Sequence, residues 1–146
     1  MADKKFADLP SQLDKISRMI QRTTIDATLA YGAELTRQLI ADTPAKTGNL
    51  RGNWHLNPDG ILPPYQRRPT GTAGQAFLQA LSDVHSKRPQ SPDRINISNT
   101  APYLLRRYQY ANIEATAIRA RAQAREKSQQ VYDSAFQNFI RAGADM

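Results

Sequence analysis

The placement of proline constrains this chain more than any other feature. Six of its nine prolines (Pro58, Pro63, Pro64, Pro69, Pro89 and Pro92) lie between positions 58 and 92, while residues 11–43 and 103–142 contain none. Proline lacks a backbone N–H and its ring clashes with the preceding helical turn, so long helices are confined to those two stretches. In the first, Leu9, Leu13, Ile16, Ile20, Thr23/Thr24, Ala27, Leu35 and Leu39 recur at steps of three and four, with Asp14, Lys15, Arg18 and Arg22 off that line. Ser11 followed by Asp14 resembles a capping box, Pro10 suits a helix start, and Asp42-Thr43-Pro44 forces the end. At about 1.5 Å per residue such a helix spans about 45 Å, more than a compact domain of this size, so part of it should cross a sheet and part project. The apolar line thins over residues 27–34, where Gly32 weakens the helix and a bend is expected.

The second proline-free stretch predicts a helix over residues 113–141. Its first half is rich in small side chains (Ala115, Ala117, Ala120, Ala122, Ala124), which suit close helix approach or a loosely packed exposed face. Its second half carries Val131, Ala135, Phe136, Phe139 and Ile140, whose spacing predicts the core-facing stripe. Between the long helices, residues 74–85 predict a short helix with Phe77, Leu78, Leu81 and Val84 on its apolar side. Strand patterns are few. Residues 53–56 alternate through Trp54 and Leu56, then Asn57-Pro58-Asp59-Gly60 is a turn, with Ile61 and Leu62 beginning a return strand. Residues 94–98 alternate again, Ile95 and Ile97 opposing Arg94, Asn96 and Ser98, until Asn99-Thr100-Ala101-Pro102 stops them. The expected class is α+β: a long N-terminal and a C-terminal helix on a small, mainly antiparallel sheet, with a Pro/Arg-rich central insertion.

At 146 residues the chain has the length of one domain with a single core. The expected organisation is a single domain over 1–146, with residues 1–8 and 143–146 frayed and 63–92 a flexible or docking insertion. No apolar run approaches the roughly 18 residues of a membrane span, and the charged start MADKKFAD does not read as a signal peptide, so no membrane partner is expected. The absence of cysteine excludes disulfides, thiolate metal sites and a cysteine nucleophile, and fits a reducing compartment.

Catalytic chemistry finds no footing either. His55 sits beside Trp54 on a presumed strand with no acidic partner in its pattern, and reads as a partly exposed strand residue. His85 closes a helix, where a histidine is favourable in its own right. Gly71-Thr72-Ala73-Gly74 lacks the Lys-Ser/Thr of a phosphate loop. No catalytic residue, metal ligand or cofactor is expected, and the chain reads as non-enzymatic.

The charge is informative through its location. Of the net charge of +7, residues 63–110 carry +5, from seven basic and two acidic side chains: Arg67, Arg68, Lys87, Arg88, Arg94, Arg106 and Arg107 against Asp83 and Asp93. A local arginine excess marks a surface that meets something negative, either nucleic acid or acidic protein. Arg106, Arg107 and Tyr108 lie between Tyr103 and Tyr110, an interleaving that suits phosphate and base stacking, or equally a protein interface. Arg67, Arg68, Lys87, Arg88, Arg106, Arg107 and Tyr108 are thus the candidate partner- or DNA-facing residues.

Two segments read together narrow the field. Asp42-Thr43-Pro44-Ala45-Lys46-Thr47-Gly48-Asn49-Leu50-Arg51-Gly52-Asn53-Trp54 resembles the Thr-Pro-x-x-Thr-Gly-x-Leu-Arg-x-Ser/Asn-Trp signature of the phage tail-completion, head–tail joining family of neck and tail-terminator-like proteins. Ile95-Asn96-Ile97-Ser98-Asn99-Thr100-Ala101-Pro102-Tyr103 is similar to that family's Asn-x-Ala-Pro-Tyr segment, in the same order. The motif residues Pro44, Thr47, Gly48, Leu50, Trp54, Asn99, Pro102 and Tyr103 also have building roles of their own. Pro44 ends a helix, Gly48 permits a tight turn, Leu50 and Trp54 anchor the next segment against that helix, and Pro102 sets the exit that places Tyr103.

The resemblance implies a virion subunit at the head–tail interface, assembled in the host cytoplasm as a sixfold or twelvefold homo-oligomeric ring. Its partners would be portal or connector and tail proteins, with genomic DNA in passing. The competing expectation is a small basic DNA-binding or DNA-packaging accessory protein using the same arginines.

Overall fold

The computed structural model describes residues 8–44, 48–57, 63–85, 95–104 and 108–144, except the side chains of residues 83–85, 110, 143 and 144. In chain order the elements are α1 (Leu9–Asp42), a single helical turn α2 (Asn49–Gly52), β1 (Trp54–Asn57), α3 (Ala73–His85), β2 (Asn96–Asn99) and α4 (Tyr110–Ala144). Two helices of 34 and 35 residues, joined to a two-stranded antiparallel sheet, make the α+β class expected from the proline map. Among the described residues, no helix is long and apolar enough to cross a membrane.

The start of α1 falls earlier than the capping box at Ser11 and Asp14 predicts. Asp8 is the N-cap and makes no side-chain capping bond, while Pro10 occupies the first turn, where a missing N–H costs nothing. The end falls where proline puts it. Thr43 is extended (φ −71°, ψ 128°), as a residue before proline must be, and its N–H still reaches Ile40 O at 3.2 Å. The helix is not interrupted at Gly32, and α1 runs continuously from Leu9 to Asp42. Gly32 instead makes room for the sheet. A Cβ there would lie 2.9 Å from Ile95 Cδ1 and 3.0 Å from Leu56 Cδ1.

The helices α1 and α4 run antiparallel and form the most extensive contact between elements. Gln38 Nε2 donates to Gln123 Oε1 at 2.6 Å, and one turn further Arg119 Nη2 and Thr116 Oγ1 donate to Asp42 Oδ2 at 2.6 and 2.9 Å. The α4 face turned to α1 holds Thr116, Ala120 and Ala124, all buried, then Ser128, Val131 and Ala135, half-buried. Small side chains let two backbones approach closely, and the alanine-rich half of α4 is used that way.

Of the stripe predicted to face the core, Val131 and Ala135 are half-buried against α1, while its larger members are not covered. Phe136, Phe139 and Ile140 are exposed, and Leu9, Leu13 and Ile20 of α1 are exposed as well. Periodicity detects an apolar face, whereas the choice of which face is covered belongs to the helix–helix register. Extended along the helices, that register puts Ala144 near Ser17, so the first turns of α1 run past the described part of α4.

The other side of α1 builds the core. Leu39 and Ile40 join Leu50, Trp54, Ala76, Ala80, Ala101 and Tyr108 in one buried cluster. Two of its members come from α3, so the middle of the chain contributes directly to the interior. In the sheet β1 pairs with β2, with Trp54 opposite Asn99 and Asn57 opposite Asn96. The return strand predicted at Ile61 and Leu62 lies outside the described residues. The observed partner of β1 is some forty positions away.

Glu34 is a buried carboxylate within this framework, and it is satisfied locally. Arg37 grips it with both Nε (3.0 Å) and Nη2 (2.6 Å), and Gln38 Nε2 adds a bond at 3.2 Å. The bonds from Arg37 outweigh desolvation and lower its pKa below the usual 4.5. A carboxylate whose pKa is depressed by folding stabilises the fold above its unfolded pKa, and that contribution is lost as pH falls through the folded value. Wild type should therefore lose melting temperature below about pH 4.5 more steeply than Glu34→Gln, the two differing most at neutral pH. Equal acid limbs in thermal unfolding from pH 3 to 7 would contradict this.

Candidate functional site

The two motif segments meet at a single buried hub built on α2. Gly48 starts it with φ +76°, a left-handed conformation that side chains resist. Gly48 and Gly52 stand one helical turn apart and together form a seat for the backbone of residues 68–70. A Cβ on Gly48 would fall 1.7 Å from Thr70 O, and one on Gly52 1.9 Å from Arg68 O. The seated segment is bonded down at two points. Arg68 N donates to Asn49 Oδ1 at 2.6 Å, and Thr70 Oγ1 donates to Gly48 O at 2.9 Å.

Asn49, between the glycines, is the centre of the hub. Its Nδ2 donates to the hydroxyls of Tyr65 (2.8 Å) and Tyr103, whose rings meet edge to face at 6.3 Å. Its backbone carbonyl accepts from Asn53 Nδ2 at 2.8 Å. Asn53, fully buried, then ties the two motifs together: its carbonyl accepts from Thr100 N at 3.1 Å and its Oδ1 from Thr100 Oγ1 at 3.0 Å. Asn99 closes the circuit. Its Nδ2 donates to Leu50 O at 2.8 Å, and its Oδ1 accepts from Ala101 N at 2.9 Å, shaping the turn that leads through Pro102 to Tyr103. Trp54 reaches back to the end of α1, its indole N–H donating to Thr43 Oγ1 at 2.8 Å. Arg51 does the same through Nε to Thr43 O at 3.1 Å.

The motif residues Gly48, Leu50, Trp54, Asn99 and Tyr103 are thus brought together, with Pro44 and Pro102 exposed at the ends of the elements they terminate. Thr47 lies outside the described residues. The sequence pattern did not single out Asn49 or Tyr65, and it gave Asn53, at the Ser/Asn position of the signature, and Thr100, at the end of a strand, no part in joining the two motifs. Buried asparagines are rare enough that an Asn-x-x-x-Asn pair on one helical turn is a usable signal.

The candidate interface residues divide differently. Arg67 is exposed and Arg68 half-buried on the segment seated by the glycines. Lys87, Arg88, Arg106 and Arg107 lie outside the described residues. Tyr108 does not face a partner: it is 4 % exposed, and its hydroxyl lies 2.7 Å from Thr116 Oγ1, which itself donates to Asp42. A tyrosine whose ring fills the core while its hydroxyl finds a buried partner is a packing residue, and the aromatic–arginine pattern could not reveal that. His55 corrects a second expectation. It is buried rather than partly exposed, with Nε2 3.3 Å from Thr100 Oγ1.

Chemically, the hub joins asparagine amides, tyrosine and threonine hydroxyls and backbone groups; the hydroxyl–imidazole contact of Thr100 with His55 lies beside it, with the imidazole buried and the hydroxyl bonded to Asn53 Oδ1. Among the described residues, no three His, Cys, Asp or Glu side chains come together in a way that could hold a metal ion. What the arrangement does is hold the 65–70 segment, the β1–β2 pair and the Ala-Pro-Tyr turn in one fixed relation.

No curated protein and no solved structure shows a significant match to the chain. One family model does, described as "Bacteriophage HK97-gp10, putative tail-component", and it matches residues 7–113. The match takes in α1, both motif segments and the whole hub, and ends as α4 begins. The chain belongs to the HK97-gp10-like family of bacteriophage tail components.

Proposed function

We propose that this protein completes the neck of a tailed phage, joining the head connector to the tail as a ring around the DNA passage. The observation that carries the reading is the convergence of the two family segments on one rigid hub within the matched region. A tail-component family supports a virion protein that meets other phage structural proteins. The hub contains fold-building chemistry, which suits a subunit that works by position rather than by turnover. Its role would be stoichiometric: it adds once to a preformed ring and leaves an axial opening. Repeating one modest contact around a closed ring makes the whole strong, so no single interface has to be large. The basic middle of the chain, with Arg67 exposed beside the hub, would dock on acidic surfaces of neighbouring rings or line part of the passage.

Mass photometry of the purified protein, alone and with isolated tails or DNA-filled heads, at two salt concentrations, tests this. The expected result is rings, or subunits that become ring-bound only on those particles. Subunits that ignore both particles yet bind free duplex, with log affinity falling linearly in log salt, would replace the neck by a DNA-binding accessory role.

A further inference from the structure

The basic side chains in the first half of α4 fall into two groups. Arg119 and Lys127 lie on the flank beside the acids of α1. Arg119 Nη2 donates to Asp42 Oδ2 at 2.6 Å, and the charge of Lys127 adds to the Arg37 bonds that lower the pKa of Glu34. Arg121 and Arg125 lie on the other flank of the buried face. Both are exposed and, among the described residues, neither has an ion pair or a hydrogen bond. They stand one helical turn apart, where like charges repel. Glu126 follows Arg125 but projects about 100° further round the helix, and Glu114, the acid on this flank, is about 10 Å along the axis from Arg121. The two arginines belong to a longer row. Ile118, Arg121, Arg125, Tyr132, Phe136 and Phe139 recur at steps of three, four and seven, within a sector of about 60° and over about 30 Å of helix. Its four apolar members are 55, 40, 61 and 43 % exposed. A surface that mixes arginine with aromatic side chains and holds no lysine has the composition of a protein interface.

We propose that this row docks a helix of a different virion protein, one that presents two carboxylates a turn apart between apolar side chains. Charge complementarity selects that occupant. Two unpaired guanidinium groups at helical spacing are met by two carboxylates at the same spacing, and a straight ridge of this length matches a helix. DNA fits less well. It would bring phosphates to two arginines and leave Ile118, Tyr132, Phe136 and Phe139 against a charged backbone. A second copy also fits less well. Its own α4 row sets arginine against arginine, and the first half of its α1 carries Lys15, Arg18 and Arg22 against Asp8 and Asp14, with Asp14 already held by Arg18 at 3.0 Å. The proposal deepens the neck reading, and rests on it, by naming a surface through which the subunit would meet a neighbour of another sequence.

Three full-length proteins test the contact: wild type, Arg121→Glu/Arg125→Glu, and Lys15→Glu/Arg22→Glu, which changes the net charge equally on α1. Capture by isolated tails and DNA-filled heads, self-association in the ultracentrifuge and binding to free duplex DNA are measured for each. All four positions are exposed, so helicity and melting temperature should match wild type. The α4 variant is expected to lose affinity for the capturing particle by about 100-fold, the scale for leaving docked charges unpaired, with its self-association unchanged. The α1 variant should be captured as wild type is. A photo-crosslinker placed at exposed Gln129, beside the row, should attach to an Asp- or Glu-bearing helix of another virion protein on that particle. An α4 variant captured like wild type, equal losses in both variants, or a loss confined to self-association or to duplex binding would overturn the contact and leave the neck reading standing. So would a crosslink to the same chain or to DNA. Wild type captured by neither particle would overturn both.

Discussion

Replacing Gly48 by alanine should lower the melting temperature by on the order of 10 °C, a large effect for one methyl group. Two costs combine. A residue with a Cβ held at φ +76° pays about 1–2 kcal/mol in local conformation. The same Cβ would stand 1.7 Å from Thr70 O, a backbone atom that Thr70 Oγ1 and Arg68 N help to fix, and relieving such a clash costs roughly 1–3 kcal/mol more. At about 2–4 °C per kcal/mol for a domain of this size, the sum gives the expected shift. Gly74→Ala is the control. It lies near the start of α3, and its nearest neighbour would be Thr72 Oγ1 at 3.8 Å, so alanine there should be neutral or slightly stabilising. Thermal unfolding followed by circular dichroism reads both. A Gly48→Ala protein within about 1 kcal/mol of wild type, below the conformational cost alone, would mean that the 68–70 segment is not seated as described.

Trp54→Ala is expected to cost about 3–5 kcal/mol, the range for deleting a fully packed aromatic side chain. Trp54 is buried in the main cluster between the end of α1 and the sheet, and its removal also leaves the Thr43 hydroxyl without its indole donor. Trp54→Phe separates the terms. It retains most of the apolar volume and loses the hydrogen bond, so it should cost only about 1–2 kcal/mol. Urea unfolding measures the difference by circular dichroism, since Trp54 is the only tryptophan and both variants lose its fluorescence. If alanine and phenylalanine cost the same, the hydrogen bond rather than the packing holds the motif to α1.

The hub explains why two short motifs far apart in the chain belong together. Glycines at 48 and 52 are legible in the sequence as a turn and a weak helix. What they accommodate, the backbone of residues 68–70, is not legible, because nothing in a glycine names the segment that will lie against it. The same holds for Gly32, where a residue that weakens an isolated helix instead indents this one for Ile95 and Leu56. Asn99 and Tyr103 are readable as motif members. Their partners Leu50 and Asn49 emerge only from the pairing of β1 with β2.

Local chemistry by itself determined the element map. Proline confines long helices to two stretches, Pro44 ends α1 through the extended Thr43, and alternation marks both strands to within two residues. These are nearest-neighbour effects, set by backbone sterics and side-chain period, and they hold in any fold. Only the tertiary structure decided which apolar faces are covered. The antiparallel register of α1 and α4 buries Ala120 and Ala124, leaves Phe136 and Leu13 bare, and draws Tyr108 inward to Thr116. Burial depends on which surfaces meet, and that is settled by residues distant in the chain.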